Sequence, residues 1–253
     1  LFRSVLDKMK SQFIGGATKK GFEQEKLEKI WTDWEAFAQY AFNKSHSTCY
    51  AFVAYQTAYI KAHYPSEYMA AVLNHAGSID KISFFMEECK RMGVHVLGPD
   101  VNESQNGFAV NTKGEIRFGF SGLKGVGENA IENIIEEREK NGPFTGVFDF
   151  IKRVNHRHTT RRSTECLIKS GAFDTFSELH RAQYFFQPLG DSSNLEKIYK
   201  FGAAYQSQSG SSANTLFGDI QMNDVAAPKL LPAPEWTLIE KLDYEKEINQ
   251  NQF

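Results

Sequence analysis

The sequence has no excess of charge of either sign. Its 253 residues carry 29 Lys and Arg against 31 Asp and Glu, which gives a formal net charge of -2. A chain this evenly balanced has no overall attraction for nucleic acid, so any phosphate-binding surface has to be local. The hydrophobic content of 41% is enough to form a core.

Cysteine and long apolar runs are also scarce. Cys49, Cys89 and Cys166 are far apart and form no Cys-x-x-Cys pair, which argues against a disulfide framework or a zinc site. There is no signal peptide and no apolar run of membrane-spanning length. We therefore expect a cytoplasmic protein with no bound metal and no membrane partner. Because the chain begins in mid-pattern at Leu1, we expect it to be a fragment of a larger protein.

The apolar pattern predicts a mainly α-helical chain. After Gly21, Leu27, Trp31, Trp34 and Phe37 recur at helical spacing and predict a core-facing stripe. The segment from Ser47 to His63 is apolar on most sides, so we expect a largely buried helix there. The one β-hairpin predicted is small, with Phe108–Val110 and Ile116–Phe118 flanking residues 111–114.

The segment Leu123–Ile131 predicts a helix, a tight hairpin and the start of a second helix. Gly125 and Gly127 allow positive φ and close backbone approach, which would expose the first N–H groups of the second helix. A helix N-terminus also carries about half a positive charge and suits a phosphate. The alternative is a sharp helix–helix corner with no ligand.

A second helix–glycine–helix unit follows, with a helix over Thr164–Lys169, a turn at Ser170–Asp174 and a helix from Ser177 to Phe186. It has one glycine at the turn, Gly171, and is interpreted as a degenerate copy of the first unit. The two units are expected to pair through their apolar faces. The second hairpin either contacts phosphate as the first does or is purely structural.

Two further segments suggest anion binding. The dense basic segment 152–162 is either a phosphate-contact surface or a solvated loop. In Phe42–Ser47, Lys44 offers a point charge and His46 a hydrogen-bond donor at the start of the predicted buried helix. The alternative there is a helix start with solvated side chains.

Several segments together resemble the alpha subunit of bacterial replicative DNA polymerase III, a C-family polymerase. They occur in order along the chain as Phe42–Ser47, Tyr55–Ala58, Lys61–Pro65, Glu88–Gly93, Gly98–Asn102, Leu123–Gly127 and Leu167–Asp174. The resemblance implies a helical fingers segment over residues 1–100 and a tandem helix-hairpin-helix domain with a small β-hairpin over 101–190. Residues 191–253 would form a linker and tail with a possible clamp-binding peptide.

The resemblance also implies roles for particular residues. Lys44 and His46 would face the triphosphate of the incoming deoxynucleotide. Gly125, Val126 and Gly127 would hold the backbone of the duplex leaving the active site. The full set of predicted DNA-binding residues is Lys124, Gly125, Val126, Gly127, Arg161, Arg162, Lys169 and Gly171.

The region after the hairpins would meet the sliding clamp. Clamp-binding peptides in this family place a Gln before a paired Leu-Phe. Here Leu216 and Phe217 are present, but Ala213 stands where the Gln would be. The resemblance thus implies primer–template duplex, nucleotide, clamp and other replicase subunits as partners.

Polymerase chemistry requires clustered carboxylates that hold two Mg²⁺ ions. The sequence has no Asp-x-Asp pair, and Asp100, Asp149 and Asp174 are isolated. We therefore predict no catalytic residue here, with Mg²⁺ bound outside this fragment and no polymerase activity for the fragment alone. The alternatives are a free-standing helix-hairpin-helix module of a repair protein and a clamp-tethering scaffold.

Overall fold

The computed structural model describes residues 2–39, 44–212 and 225–249, and within them helices dominate. The helices are α1 (Phe2–Thr18), α2 (Gln24–Gln39), α3 (Lys44–His63), α4 (Pro65–Asn74), α5 (Ile79–Arg91), α6 (Glu128–Asn141), α7 (Val147–Arg153), α8 (Arg161–Lys169), α9 (Arg181–Phe185), α10 (Asn194–Ser212) and α11 (Leu238–Asn249). The strands are β1 (Val96–Leu97), β2 (Ala109–Val110) and β3 (Ile116–Arg117). The mainly α class with a small sheet is confirmed. None of the described helices is long and apolar enough to cross a membrane.

The chain divides into two compact units, residues 1–59 and 60–253. In the first, Phe13 of α1 packs against Trp31 and Trp34 of α2, with ring centroids 5.8 and 5.0 Å apart. Leu27 and Trp31 are buried, as the helical spacing predicts, whereas Trp34 and Phe37 remain 52% and 62% exposed. The predicted stripe therefore forms a core only over part of its length. The predicted functional divisions at residues 100 and 190 stay predictions.

The expectation of a buried helix after Ser47 is wrong. α3 begins at Lys44 and contains no buried residue. Tyr50, Phe52 and Tyr55 are each more than 60% exposed. Hydrophobic periodicity reports which faces of a helix are apolar, and burial requires in addition another element that packs against those faces.

The sheet combines the predicted hairpin with an earlier segment. β3 pairs antiparallel with β2 and parallel with β1, so the strand order is β1-β3-β2. α4 and α5 cover it through a core that includes Met69, Leu73, Ile82, Phe108 and Ile116. Ser78 caps α5 by accepting a hydrogen bond from Lys81 N.

The larger core joins both hairpin units, as the sequence predicted. It contains Leu123, Val126 and Ile134 from the first unit and Leu167, Ile168 and Phe173 from the second. Two boundaries differ from expectation. The helix before the first hairpin is a single 3₁₀ turn, Phe120–Gly122, and α9 begins at Arg181 rather than near Ser177.

Within residues 191–253, which the resemblance assigns to a linker and tail, α10 is helical through Ser212. The Gln206 side-chain amide donates to the carbonyls of Val154 (2.8 Å) and Lys152 (3.1 Å) at the end of α7. These hydrogen bonds satisfy carbonyl groups at the end of α7 and hold the polar segment of α10 against it.

Three asparagine side chains join segments that are distant in sequence. Asn74, Asn102 and Asn194 each donate to and accept from the backbone of one remote residue, which is Phe108, Phe144 and Leu231 respectively. The carboxamide carries both a donor and an acceptor, so it forms the same pair of hydrogen bonds with the remote backbone as a residue of a neighbouring β-strand would. These contacts hold the connecting loops in place against the core.

Candidate nucleic-acid interface

The first hairpin is anchored by its apolar residues and exposes its polar backbone. Leu123 and Val126 are buried, at 0% and 2% exposure. Lys124, Gly125 and Gly127 are exposed. The alternation turns the hairpin backbone towards solvent on one side.

The N-terminus of α6 is open. Its N-cap residue, Gly127, has no side chain to accept the first N–H groups, and its carbonyl accepts from Ala130 N (2.9 Å) and Ile131 N (3.1 Å). Among the described residues, nothing accepts a hydrogen bond from the N–H groups of Gly125, Gly127, Glu128 or Asn129. Donors of this kind at a helix N-terminus suit an anion. The adjacent Glu128 carboxylate opposes that attraction.

The two glycines of the hairpin differ in conformation. Gly125 has φ +83°, as predicted, and a Cβ there would lie 2.7 Å from Cys166 Sγ. Gly127 instead has φ -75°, and a Cβ there would meet nothing within 4 Å. Gly125 is therefore required by both conformation and packing, whereas Gly127 leaves the helix end uncovered.

The contact with Cys166 places the hairpin against α8 between two cations. Arg162 lies four residues before Cys166 and Lys169 three residues after it, so all three share one face of α8. Burial raises the pKa of the Cys166 thiol, and the charges of Lys169 and Arg162 act in the opposite direction. The open end of α6 and these two cations therefore lie on the same part of the surface.

The cations predicted to contact DNA differ in whether their side chains already form ion pairs within the protein. Arg162 and Lys124 are exposed, and among the described residues neither side chain forms an ion pair. Arg161 pairs with Glu165 at 2.9 Å, and Lys169 pairs with Glu247 at 3.5 Å. The Lys124 N–H is used within the fold, since it donates to Ile248 O at 2.9 Å.

Part of the basic segment 152–162 is structural. The Arg153 guanidinium pairs with Glu137 (3.0 Å) and Asp149 (2.9 Å) and lies over the Phe144 ring. Lys152 lies over the rings of Phe201 and Tyr205. Arg153 and Lys152 therefore belong neither to a phosphate-contact surface nor to a solvated loop, because both side chains stabilise contacts between helices.

The second hairpin is covered. Gly171 is buried with φ +90°, and a Cβ there would collide with the Arg181 guanidinium. Arg181 in turn pairs with Asp174 (2.5 Å) and Glu245 (2.6 Å). The geometry favours the structural interpretation of this hairpin, so we leave Gly171 out of the interface.

The nucleotide and clamp predictions fall elsewhere. Lys44 and His46 lie in the first turn of α3, where both are exposed and the His46 ring is 4.4 Å from that of Tyr50. Leu216 and Phe217 lie outside the described residues. Within the part of the chain that the structure describes, no three His, Cys, Asp or Glu side chains are placed to hold a metal ion.

Sequence reasoning missed the contribution of α11. The charged sequence of residues 239–248 does not by itself predict packing against the hairpins. The helix lies against α8, with Ile248 buried and Tyr244 under the Lys169 ammonium group at 4.8 Å. Tyr244 and Ile248, four residues apart and therefore on one face of the helix, are a signal that the sequence offers.

Comparison with known proteins agrees with this geometry. The protein family described as "Helix-hairpin-helix motif" matches residues 93–184. The chain is 38% identical over 237 residues to the protein named DNA polymerase III subunit alpha of Neisseria meningitidis serogroup A, covering 93% of this chain and 20% of that protein. The protein of the same name from Thermus aquaticus is 38% identical over 96% of this chain and 19% of its own length. The one from Deinococcus radiodurans is 44% identical over 69% of this chain and 13% of its own length. The chain thus spans about a fifth, or less, of the length of these curated relatives.

Proposed function

We propose that this chain, which over most of its length is similar to a stretch of DNA polymerase III alpha subunits, grips the backbone of duplex DNA during template-directed synthesis. One observation carries the proposal. The open N-terminus of α6 lies on the face of α8 that bears Arg162 and Lys169, beside the exposed Lys124. Backbone N–H groups and cations contact phosphates rather than bases, so the grip is independent of sequence.

We propose further roles from the resemblance to polymerase alpha subunits. Lys44 and His46, at the exposed start of α3, would contact the incoming nucleotide triphosphate. Leu216 and Phe217 would bind the sliding clamp, and other replicase subunits would complete the assembly. Mg²⁺ would be held by carboxylates outside this fragment. The proposed divisions are a fingers segment to residue 100, a DNA-binding domain to 190 and a tail beyond it.

The test is duplex binding as a function of salt concentration. Each phosphate contact adds about -0.9 to the slope of log K against log salt. Replacing Arg162→Gln should reduce the magnitude of that slope by about 0.9 and weaken binding to unrelated duplexes equally. The matched control is Lys113→Gln, which removes an exposed cation at the turn between β2 and β3. That variant should bind as the parent chain does.

A flat slope, or the same loss in both variants, would contradict the proposal. A flat slope would favour the scaffold interpretation, in which the hairpins have no DNA to bind. Equal losses would mean that net charge, and not the α8 surface, determines affinity.

A further inference from the structure

α11 covers one side of the proposed DNA-binding surface with acidic groups. Glu247 pairs with Lys169 of α8, and Glu245 pairs with Arg181 at the second hairpin. The helix ends at the first hairpin, where Ile248 is buried and its carbonyl accepts the Lys124 N–H. Three contacts from one helix therefore reach both hairpins.

Because α11 lies over one of them, the two cations beside Cys166 differ in their accessibility to a phosphate. Lys169 has only 24% of its side chain exposed, and its ammonium group lies between the Glu247 carboxylate and the Tyr244 ring. Arg162, on the other side of Cys166, is exposed and has no ion-pair partner among the described residues. A phosphate can therefore reach Arg162 directly, but it has to compete with Glu247 for Lys169.

The competition is weak enough to be reversible. Glu247 is 59% exposed and its pair with Lys169 spans 3.5 Å. At this separation the pair contributes little, because water and salt reach the exposed carboxylate and screen it. A phosphate of the duplex can therefore replace the carboxylate.

We propose that α11 is an autoinhibitory cover, in which Glu247 occupies Lys169 and DNA phosphate displaces it. The inference rests on the proposed function, since it assigns a regulation to the same surface. Linkage requires the effect to be mutual. Breaking the Glu247–Lys169 pair raises DNA affinity, and bound DNA breaks the pair.

The experiment measures duplex affinity and its salt slope for Glu247→Gln against Asp243→Asn. Asp243 is an exposed acid on the same helix that pairs with no cation among the described residues, so both variants remove one negative charge from α11. Glu247→Gln should bind about two- to fivefold more tightly than Asp243→Asn at low salt. Its slope should equal that of Asp243→Asn, because a phosphate contacts Lys169 in the bound state of both variants.

A second pair of measurements separates release of Lys169 from the change in overall charge. In a Lys169→Ala background, Glu247→Gln and Asp243→Asn should bind equally. If the advantage of Glu247→Gln persists without Lys169, or never appears, the cover is overturned.

A third comparison does not depend on changing α11. Because Glu247 already competes for Lys169, Lys169→Gln should cost less affinity than Arg162→Gln. Equal costs would overturn the inference. Absence of any salt-dependent duplex binding by the parent chain would instead reject the proposed function itself. If the parent chain shows the expected salt slope but Glu247→Gln and Asp243→Asn bind duplex with equal affinity, only the autoinhibitory role of α11 is rejected.

Discussion

Gly125 is the residue on which the geometry of the first hairpin depends. At its positive φ, a residue with a side chain would lose about 1–2 kcal/mol of stability through backbone strain. In addition, Cys166 Sγ lies so close that a methyl group on Gly125 has no space. Gly127, two residues later, has neither constraint. The sequence shows two equivalent glycines, and the structure distinguishes them.

We predict that Gly125→Ala lowers the free energy of unfolding by about 2–4 kcal/mol, the sum of backbone strain and overpacking against Cys166. Gly114→Ala is the matched control, since Gly114 has φ +80° but open space around its Cβ position. It should cost about 1–2 kcal/mol. Denaturant unfolding of both variants measures the difference, and equal losses would mean that Cys166 moves aside freely.

Tyr199 provides a pH-dependent contribution to stability. Its hydroxyl lies 2.6 Å from Thr164 Oγ1 and donates to Thr159 O at 3.2 Å, and burial raises its pKa to about 12. The ordinary pKa of a tyrosine is about 10, so the unfolded chain loses this proton at lower pH than the folded chain does. The stabilisation is therefore complete below pH 10 and is lost as pH rises towards 12.

We predict that Tyr199→Phe makes the decline of stability between pH 10 and pH 12 shallower than in the parent chain. Burial also raises the pKa of Tyr184, which remains in the variant, so some decline persists. Urea unfolding at a series of alkaline pH values measures both curves. Parallel curves would show that Tyr199 ionises equally easily in the folded and unfolded states.

At the scale of elements, side-chain amides decide how the loops are held. Asn194 donates to Gln183 O and Leu231 O, both at 2.8 Å, and accepts from Leu231 N at 3.0 Å. Next to this contact, Trp236 stacks between Phe185 and Tyr244. The segment before α11 is therefore attached to α9 and α10 rather than trailing from them.

We predict that Asn194→Asp releases this segment, because a carboxylate would face two carbonyl oxygens with no proton to donate. The loss of stability should be about 1–3 kcal/mol, with faster proteolytic cleavage between residues 225 and 237. The control is Asn106→Asp, at an exposed side chain with no hydrogen-bond partner among the described residues. Cleavage at the parent rate in Asn194→Asp would show that the aromatic stack alone holds the segment.

The sequence pattern predicted the position of elements that are defined by neighbouring residues. It did not predict features that depend on packing against a distant part of the chain. The spacing of apolar residues located α2, and turn residues located the β2–β3 hairpin. The same kind of pattern misjudged α3, whose aromatic faces are exposed, and residues 191–253, expected to be a linker and tail, include the long helix α10. Whether the aromatic faces of α3 are buried, and how far α10 extends, both depend on residues far away in sequence.

At the scale of the whole molecule, binding and chemistry are expected to separate. Phosphoryl transfer by two metal ions needs several carboxylates around one point. The described residues hold no such group, and the chain spans about a fifth of the length of its relatives. The proposed DNA binding needs only the surface of α6 and α8.

We predict that the chain incorporates no nucleotide when supplied with primer–template, Mg²⁺ and deoxynucleotides, while it binds the same duplex in the same buffer. Gel analysis of the primer measures the first and a shift in duplex mobility the second. Incorporation above the level of a blank preparation would contradict this assignment of the chemistry to residues outside the chain.

The sequence by itself determined the helical class, the β2–β3 hairpin, the glycine at the hairpin turn and the short motifs that resemble those of polymerase alpha subunits. Each of these depends on residues a few positions apart, where periodicity and turn chemistry act directly. Only the tertiary structure decided which cations can reach a phosphate. Lys169 is held by Glu247, 78 positions away, and Arg181 by Glu245, 64 positions away. An ion pair forms wherever folding brings two charges within about 4 Å, and no local pattern records that meeting.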